Sequence, residues 1–479
     1  MPARHIEFRG VPEEVRKGLD RLRASLELPE GFPTDVDAQA EHLAASPPEF
    51  PDHKDMTDVE FVTVDPPDAM DLDQALHIRR EGEGYRVRYA IADVGAWVEP
   101  GSPVDREAHL RGQTLYAPSA KVPLHPRALS EGAASLLADG VARPAMVWTH
   151  LLDAKGEVTA TTLERAMVVN RAKLSYEGIQ ADLDAGNANE TVRLLAEVGP
   201  LRERIEAERG GISLNLPDQE IVTDGHTWLP VFRELVKVED WNAQISLLTG
   251  IAAADLMISG GVGILRTLPP AEDHAVDRLR RAARTLGVEW PKGQSYPDFV
   301  RSLHPSDPRE HAVLVKCTML FRGAGYLAFD GEVPDANLEH SALATPYAHT
   351  TAPLRRLVDR FVLEICHALA NDLPVPQWAR EALDTLPEQM QASGRKAGSY
   401  ERGVVDLAEA LVLSDRVGEI FEAVLIDVYP KNSMGTFQIA DPAVEAELKA
   451  DRRDVGTRIR VRLDKVDLVS GRLTFSHPG

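Results

Sequence analysis

Thr63-Val-Asp-Pro-Pro-Asp-Ala-Met-Asp-Leu-Asp-Gln-Ala-Leu76 places Asp65, Asp68, Asp71 and Asp73 within nine residues. Phe61-Val-Thr-Val64 leads in as a β-branched run. Ala75 to Arg79 leads out, turns at Glu81-Gly-Glu-Gly84 and returns as Tyr85-Arg-Val-Arg-Tyr-Ala-Ile91. Apolar and charged residues alternating with period two read as strands on both sides. The aspartates then share a tight strand-to-strand loop, stiffened by Pro66-Pro67. Crowded carboxylates raise one another's pKa unless a cation neutralises them. Oxygen donors of this kind suit Mg2+ or Mn2+, which take one or two carboxylates together with substrate phosphates. The run therefore reads as a divalent-metal site that handles phosphate. A plain Asp-rich turn is the alternative on local sequence, because Asp favours turns. A calcium EF-hand is excluded by the missing Gly and the missing Glu at loop position twelve.

The 479 residues exceed one typical core and predict about two to four domains. No apolar run in the sequence reads as a membrane span, and Met1-Pro-Ala-Arg-His5 lacks the apolar centre of a signal peptide. Cys317 and Cys366 sit in helical apolar patterns with no partner at metal spacing, so reduced core thiols and a cytoplasmic location are expected. The net charge of −22 argues against a broadly nonspecific nucleic-acid binder. Any RNA or DNA contact must be concentrated in a recessed site.

Residues 1–50 read as helical: Val15, Leu19 and Leu22 share one face after Pro12, and a second helix fits 35–45. The segment suits a helix-turn-helix-like module or a packing element, and 47–54 reads as a linker. Residues 60 to about 410 form the large unit, strand-rich to Val168 and then helical over 241–257, 275–286, 308–321, 353–369 and 376–415. That segregation predicts an α+β fold. No G-x-G-x-x-G or P-loop pattern appears, so no nucleotide cofactor is expected. From Val417 the chain breaks into short alternating strands with the rhythm of a five-stranded barrel, one carrying Arg458, Arg460 and Arg462 with a shifted Lys465.

The second informative stretch is His340-Ser-Ala-Leu-Ala-Thr-Pro-Tyr-Ala-His-Thr-Thr-Ala-Pro-Leu-Arg-Arg-Leu-Val-Asp-Arg-Phe361. Pro353 is expected to open a helix whose apolar positions are Leu354, Leu357, Val358, Phe361, Val362 and Ile365. Arg355 and Arg356 would then lie in its first turn, against the helix dipole. They fit there if they meet phosphate or carboxylate, or if they pair with Asp359.

These segments resemble the RNase II family, also called the RNB or RNase R family, of processive 3′→5′ exoribonucleases. The Asp65 loop is similar to its Asp-x5-Asp-x-Asp-Asp signature. Tyr89-Ala-Ile-Ala-Asp-Val-Gly-Ala-Trp-Val-Glu-Pro-Gly-Ser-Pro-Val-Asp-Arg-Glu-Ala108, Thr114-Leu-Tyr-Ala-Pro118 with Val122-Pro-Leu-His-Pro126, and His340 to Asp359 resemble three further blocks in the family's order. The resemblance implies an α+β RNB catalytic domain over 56–415, with a strand-rich first part and a helix-rich second part. It also implies an S1-type OB barrel over 416–479, and leaves 1–55 as a helical segment where the family carries cold-shock barrels.

By the same resemblance Asp65, Asp71, Asp73 and Gln74 would frame a catalytic Mg2+, with Mn2+ as the alternative. Asp73, Asp71 and Arg355 would carry catalysis. Tyr116 would stack on a base, and Arg356 and Glu401 would contact substrate. Single-stranded RNA is the implied partner, and a monomer the implied state. Two departures stand out. The family's fourth aspartate is Gln74, and a Glu pair common in the family aligns with Leu247-Leu248. The enzyme reading is 3′→5′ hydrolysis to 5′-mononucleotides. The rival is an RNA-binding protein of the same fold whose hydrolysis has weakened through Gln74.

Overall fold

The computed structural model describes the chain except residues 1–5, 9–11, 117–120, 215–218, 224–227, 233–234, 305–306, 322, 336–337, 430–433, 440–441, 443, 452–453 and 479. Its centre is a seven-stranded sheet in the order Lys54–Asp55, Val158–Val168, Arg143–Leu152, Gly84–Ala92, Gln74–Glu81, Phe61–Val64, Asn170–Leu174. The hairpins pair antiparallel, while the two outermost strands pair parallel with their neighbours. The period-two alternation sorts side chains between the faces. Leu76, Ile78, Tyr89, Ile91, Met146 and Trp148 face one core, covered by the helices Lys237–Gly260 and Leu357–Ala370. Ala75, Ala90, Ala92, Ala145 and Ala166 face the other. Those small residues admit Trp97 and the helix Thr34–Ala45, which contributes Val36 and Ala40.

The strands-then-helices order and the C-terminal barrel follow the sequence reading. Three local expectations change. The N-terminal segment holds the expected helices, Glu13–Ser25 and Thr34–Ala45, but also a strand, Ile6–Phe8, which pairs parallel with Gln219–Thr223. Its partner lies some two hundred residues away, beyond any local pattern. The two helices dock into separate cores: Gly18 lets the first sit directly on Leu407 and on the backbone at Leu468–Val469. The expected 376–415 helix is two, Gln377–Ala382 and Leu386–Val412.

Lys237–Gly260 is the third change. By length and composition this helix passes as a membrane span, with a mean hydropathy of 1.3. Its apolar residues, including Val238, Ile245, Leu248, Ala253 and Met257, instead fill the core on the Leu76–Trp148 face of the sheet.

The barrel strands run in the order Glu445–Lys449, Met434–Ile439, Ile420–Tyr429, Arg458–Asp467, Arg472–Ser476. Val461 and Leu463 point inward, and Arg458, Arg460 and Arg462 face solvent. Arg460 lies 3.7 Å from Glu422, and Arg462 donates to Asp464 at 2.7 Å. Buried charges tie the barrel to the helical part. Glu445 takes Arg278 and Lys316 together, and Arg281 donates to the Ile426 carbonyl at 2.9 Å.

Candidate active site

The Asp65–Asp73 loop is fixed from below by its own backbone. Ser135 Oγ donates to the Met70 carbonyl at 2.6 Å and accepts the Leu72 N–H at 2.9 Å. Lys173 Nζ donates to the carbonyls of Pro67 and Ala69 at 2.5 and 2.9 Å. Asp68 stands exposed at the tip, while Asp73 is 1 % exposed.

Asp73 meets the second informative stretch directly. Its Oδ1 accepts the Leu354 N–H at 2.7 Å, and its Oδ2 accepts Arg355 Nε at 2.6 Å. Burial pushes the Asp73 carboxyl up to about 7, against the pull of Arg355. Asp65 is pushed up to about 6, again by burial first, with Arg355 and Lys173 opposing and Asp71 adding repulsion. Asp71 pairs with Lys121 Nζ at 3.1 Å, and the same ammonium reaches Glu131 at 2.6 Å. The Tyr116 hydroxyl lies 3.4 Å from Asp71, and the residue is 44 % exposed. Asp65, Asp71, Asp73, Tyr116 and Arg355 thus form one site.

The remaining candidates are placed differently. Arg356 makes a bidentate pair with buried Asp359, at 2.9 and 2.7 Å, and Asp359 also accepts the Ala352 N–H at 2.7 Å. Neither arginine lies in the first turn of a helix, as the sequence reading had it. The helix begins at Leu357, and Arg356 is extended because it bridges to Gln113. Residues 352–355 form a tight turn, with Ala352 O accepting the N–H groups of Arg355 and Arg356 at 3.0 and 2.8 Å. Gln74 donates its side-chain amide to the Thr351 carbonyl and accepts the Tyr89 hydroxyl at 3.2 Å. Glu401 is half-buried in Leu386–Val412, beside Tyr400, whose ring packs with Leu115 and Val122 on either side of the Tyr116 segment.

Lys121, Lys173 and Thr351 were missed as contributors, whereas Asp359 had been named as a possible partner of the arginines. Thr351 stood inside a recognised block and Lys121 between the two parts of another, but nothing in their spacing marks an ion-pair or carbonyl partner across the fold.

Among the described residues, no three acidic, His or Cys side chains converge closely enough as they stand to cage a metal. Lys121 and Arg355 occupy two of the three carboxylates. A buried, mutually repelling set of hard oxygens held apart by cations still suits Mg2+ or Mn2+, which needs only one or two carboxylates when phosphate supplies the rest.

A second buried network sits behind the site. Asp93 accepts from His53 and Arg165, each at 3.0 Å, and Arg165 also donates to Glu364. Burial and Asp93 push Glu364 up to about 7. The network joins the end of strand Gly84–Ala92 to the helix Leu357–Ala370.

The RNB domain model matches residues 53–372, and the RNase II-type exonuclease C-terminal S1 domain matches residues 419–477. The chain belongs to the RNB family. This RNB protein is 26% identical to ribonuclease R of Escherichia coli (strain K12) over 522 residues, covering 98% of this chain and 63% of that one. It thus spans under two thirds of that relative's length. Among solved structures it resembles Mycoplasma genitalium RNase R in complex with ribose-methylated single-stranded RNA, with a TM-score of 0.79 and 19% identity, covering 97% of this chain and 78% of that one. It also resembles yeast Ssd1, a pseudonuclease, with a TM-score of 0.66 and 16% identity, covering 94% and 58%. The RNB fold therefore carries both enzymes and proteins that lack the activity.

Proposed function

We propose that this RNB protein is a 3′→5′ exoribonuclease that hydrolyses single-stranded RNA processively to 5′-mononucleotides with Mg2+ or Mn2+. The observation that carries the reading is buried Asp73, held by the Leu354 N–H and the Arg355 guanidinium beside Asp65 and Asp71. Hydrolysis needs preorganised charge where the phosphate will sit, and this arrangement supplies both signs within one recess. Asp65, Asp71 and Asp73 would hold the cation, which when bound supplies Lewis acidity and an activated water. The Arg355 side chain is 38 % exposed, so it could take phosphate oxygens as charge develops. The exposed Tyr116 ring offers a stacking face that is indifferent to base identity. Glu401 would contact the 3′-terminal nucleotide. The two buried free thiols suit a reducing compartment, the cytoplasm, and a monomer suffices because every named side chain comes from one chain.

The rival reading, RNA binding without hydrolysis, is favoured by Gln74 at the fourth acidic position and by the likeness to Ssd1. Purified protein incubated with 3′- and 5′-labelled single-stranded RNA, with Mg2+, Mn2+ or EDTA, separates them. Stepwise release of mononucleotides from the 3′ end, abolished by EDTA and by Asp73→Asn, is expected. Full-length RNA surviving every metal condition would leave only the rival.

A further inference from the structure

We propose that Gln74 is a positioning residue for Arg355 and not a ligand of the cation. The inference rests on the hydrolytic reading above and deepens it. Thr351 O can only accept, so the nitrogen end of the Gln74 side chain must face it, and the oxygen end must receive the Tyr89 hydroxyl. The Thr351 carbonyl fixes the amide orientation, and the Tyr89 hydroxyl, which can donate or accept, then donates to the oxygen end. Asp73 and Gln74 are consecutive, so their side chains leave the backbone on opposite sides. Both reach the same turn. Asp73 accepts from Leu354 and Arg355, while Gln74 donates to Thr351. One residue grips the turn by its N–H groups and the other by a carbonyl.

Thr351 is the point at which that grip matters. Its hydroxyl lies 2.9 Å from Ser246 Oγ on the helix Lys237–Gly260. The next residue, Ala352, donates to Asp359 and accepts from Arg355 and Arg356. Moving the Thr351 carbonyl therefore moves the turn on which the Arg355 backbone hangs. A carboxylate at position 74 would set two acceptors face to face and lose this donor. The amide thus supplies something an aspartate cannot, and the loss of one negative charge from the cage is its accompaniment.

Four variants test this: Gln74→Glu, Gln74→Asp, Gln74→Leu and Tyr89→Phe. Mn2+ binding to metal-free protein, followed by calorimetry, reads the ligand question without catalysis. Gln74→Glu and Gln74→Asp should bind Mn2+ within about threefold of the parent protein, whereas adding a liganding charge would tighten binding about tenfold or more. At about pH 8, kcat on single-stranded RNA should fall roughly 10–100-fold in Gln74→Glu and Gln74→Leu, with KM within about threefold. Tyr89→Phe should lose less.

A double-mutant cycle with Arg355→Ala, read as RNA affinity in EDTA, makes the test independent of turnover. Gln74→Leu should cost affinity in the parent protein and nothing further when Arg355 is already gone. Additive losses, tighter Mn2+ binding by either carboxylate variant, or unchanged kcat in Gln74→Leu would each overturn the assignment. An inactive parent protein would sink the hydrolytic reading alone, because the calorimetry and the cycle still report on position 74.

Discussion

Asp65 and Asp73 are carboxyls kept where water is scarce, and their raised pKa values have a definite sign. The folded chain holds these protons more tightly than the unfolded chain, so the groups favour folding at low pH. That contribution is lost as pH rises through about 6 for Asp65 and about 7 for Asp73. Thermal melts of metal-free protein should therefore show stability declining across this window. Asp65→Asn should remove part of the decline, roughly 1–2 kcal/mol after allowance for partial exposure. The same protons compete with metal. Apparent Mn2+ affinity should fall about tenfold per pH unit below 7, and more steeply once Asp65 also protonates. Calorimetry in buffers of different ionisation enthalpy would show the proton release directly. Lys121 is the other competitor, since its ammonium sits on Asp71. Lys121→Met should tighten Mn2+ binding by about two- to fivefold, and unchanged or weaker binding would show that the ion pair does not compete.

Arg355 and Arg356 are adjacent in sequence and divide their work because of the element they introduce. The helix Leu357–Ala370 is buried along nearly its whole length, and Asp359 in its first turn holds one guanidinium edge of Arg356 through both Nε and Nη2. Arg355, one residue earlier, turns to the opposite side and reaches Asp73. Arg356→Ala should leave Asp359 buried and unpaired, at about 3–5 kcal/mol in stability. Arg355→Ala should cost less stability, because the Asp73 carboxyl, already raised to about 7, can take a proton when the guanidinium is gone, yet it should lower kcat/KM by about 10²–10³. Urea denaturation and single-turnover assays on the two variants separate these effects, and the reverse pattern would show the roles misassigned. The sequence reading had named both possible fates of the pair, phosphate and Asp359. Choosing between them required the extended backbone at Arg356, which is imposed by a bridge to Gln113 more than two hundred residues away.

At the scale of the whole molecule, the net charge of −22 would be reconciled with the proposed RNA substrate by setting cations among carboxylates at one site. The C-terminal barrel is held by the same kind of pairing. Glu445 is buried at the junction, yet Lys316 and Arg278 keep its carboxyl below the usual range. Glu445→Ala would leave two largely buried cations without that partner, costing about 3 kcal/mol. The expected result is faster proteolytic cleavage near residue 417, ahead of global unfolding, with ssRNA affinity reduced about tenfold. Cleavage kinetics matching the parent protein would mean the junction is held by other contacts. The N-terminal helix shares in this bracing, because Gly18 and Gly403 allow it to lie against Leu386–Val412 and the barrel's 468–469 turn.

The sequence by itself determined the strand alternation, the strands-then-helices order, the barrel rhythm and the aspartate loop, because each is written in residues a few positions apart. It also put the chain in its family, through four blocks whose order and residue types are local text. Only the tertiary structure decided which arginine meets Asp73, where Lys121 and Lys173 reach, and what Gln74 does. Those contacts join residues up to 282 positions apart or depend on which way one backbone turn faces. An amide and a carboxylate look like neighbouring choices in a motif. The carbonyl of Thr351, brought alongside by folding, is what makes them opposites.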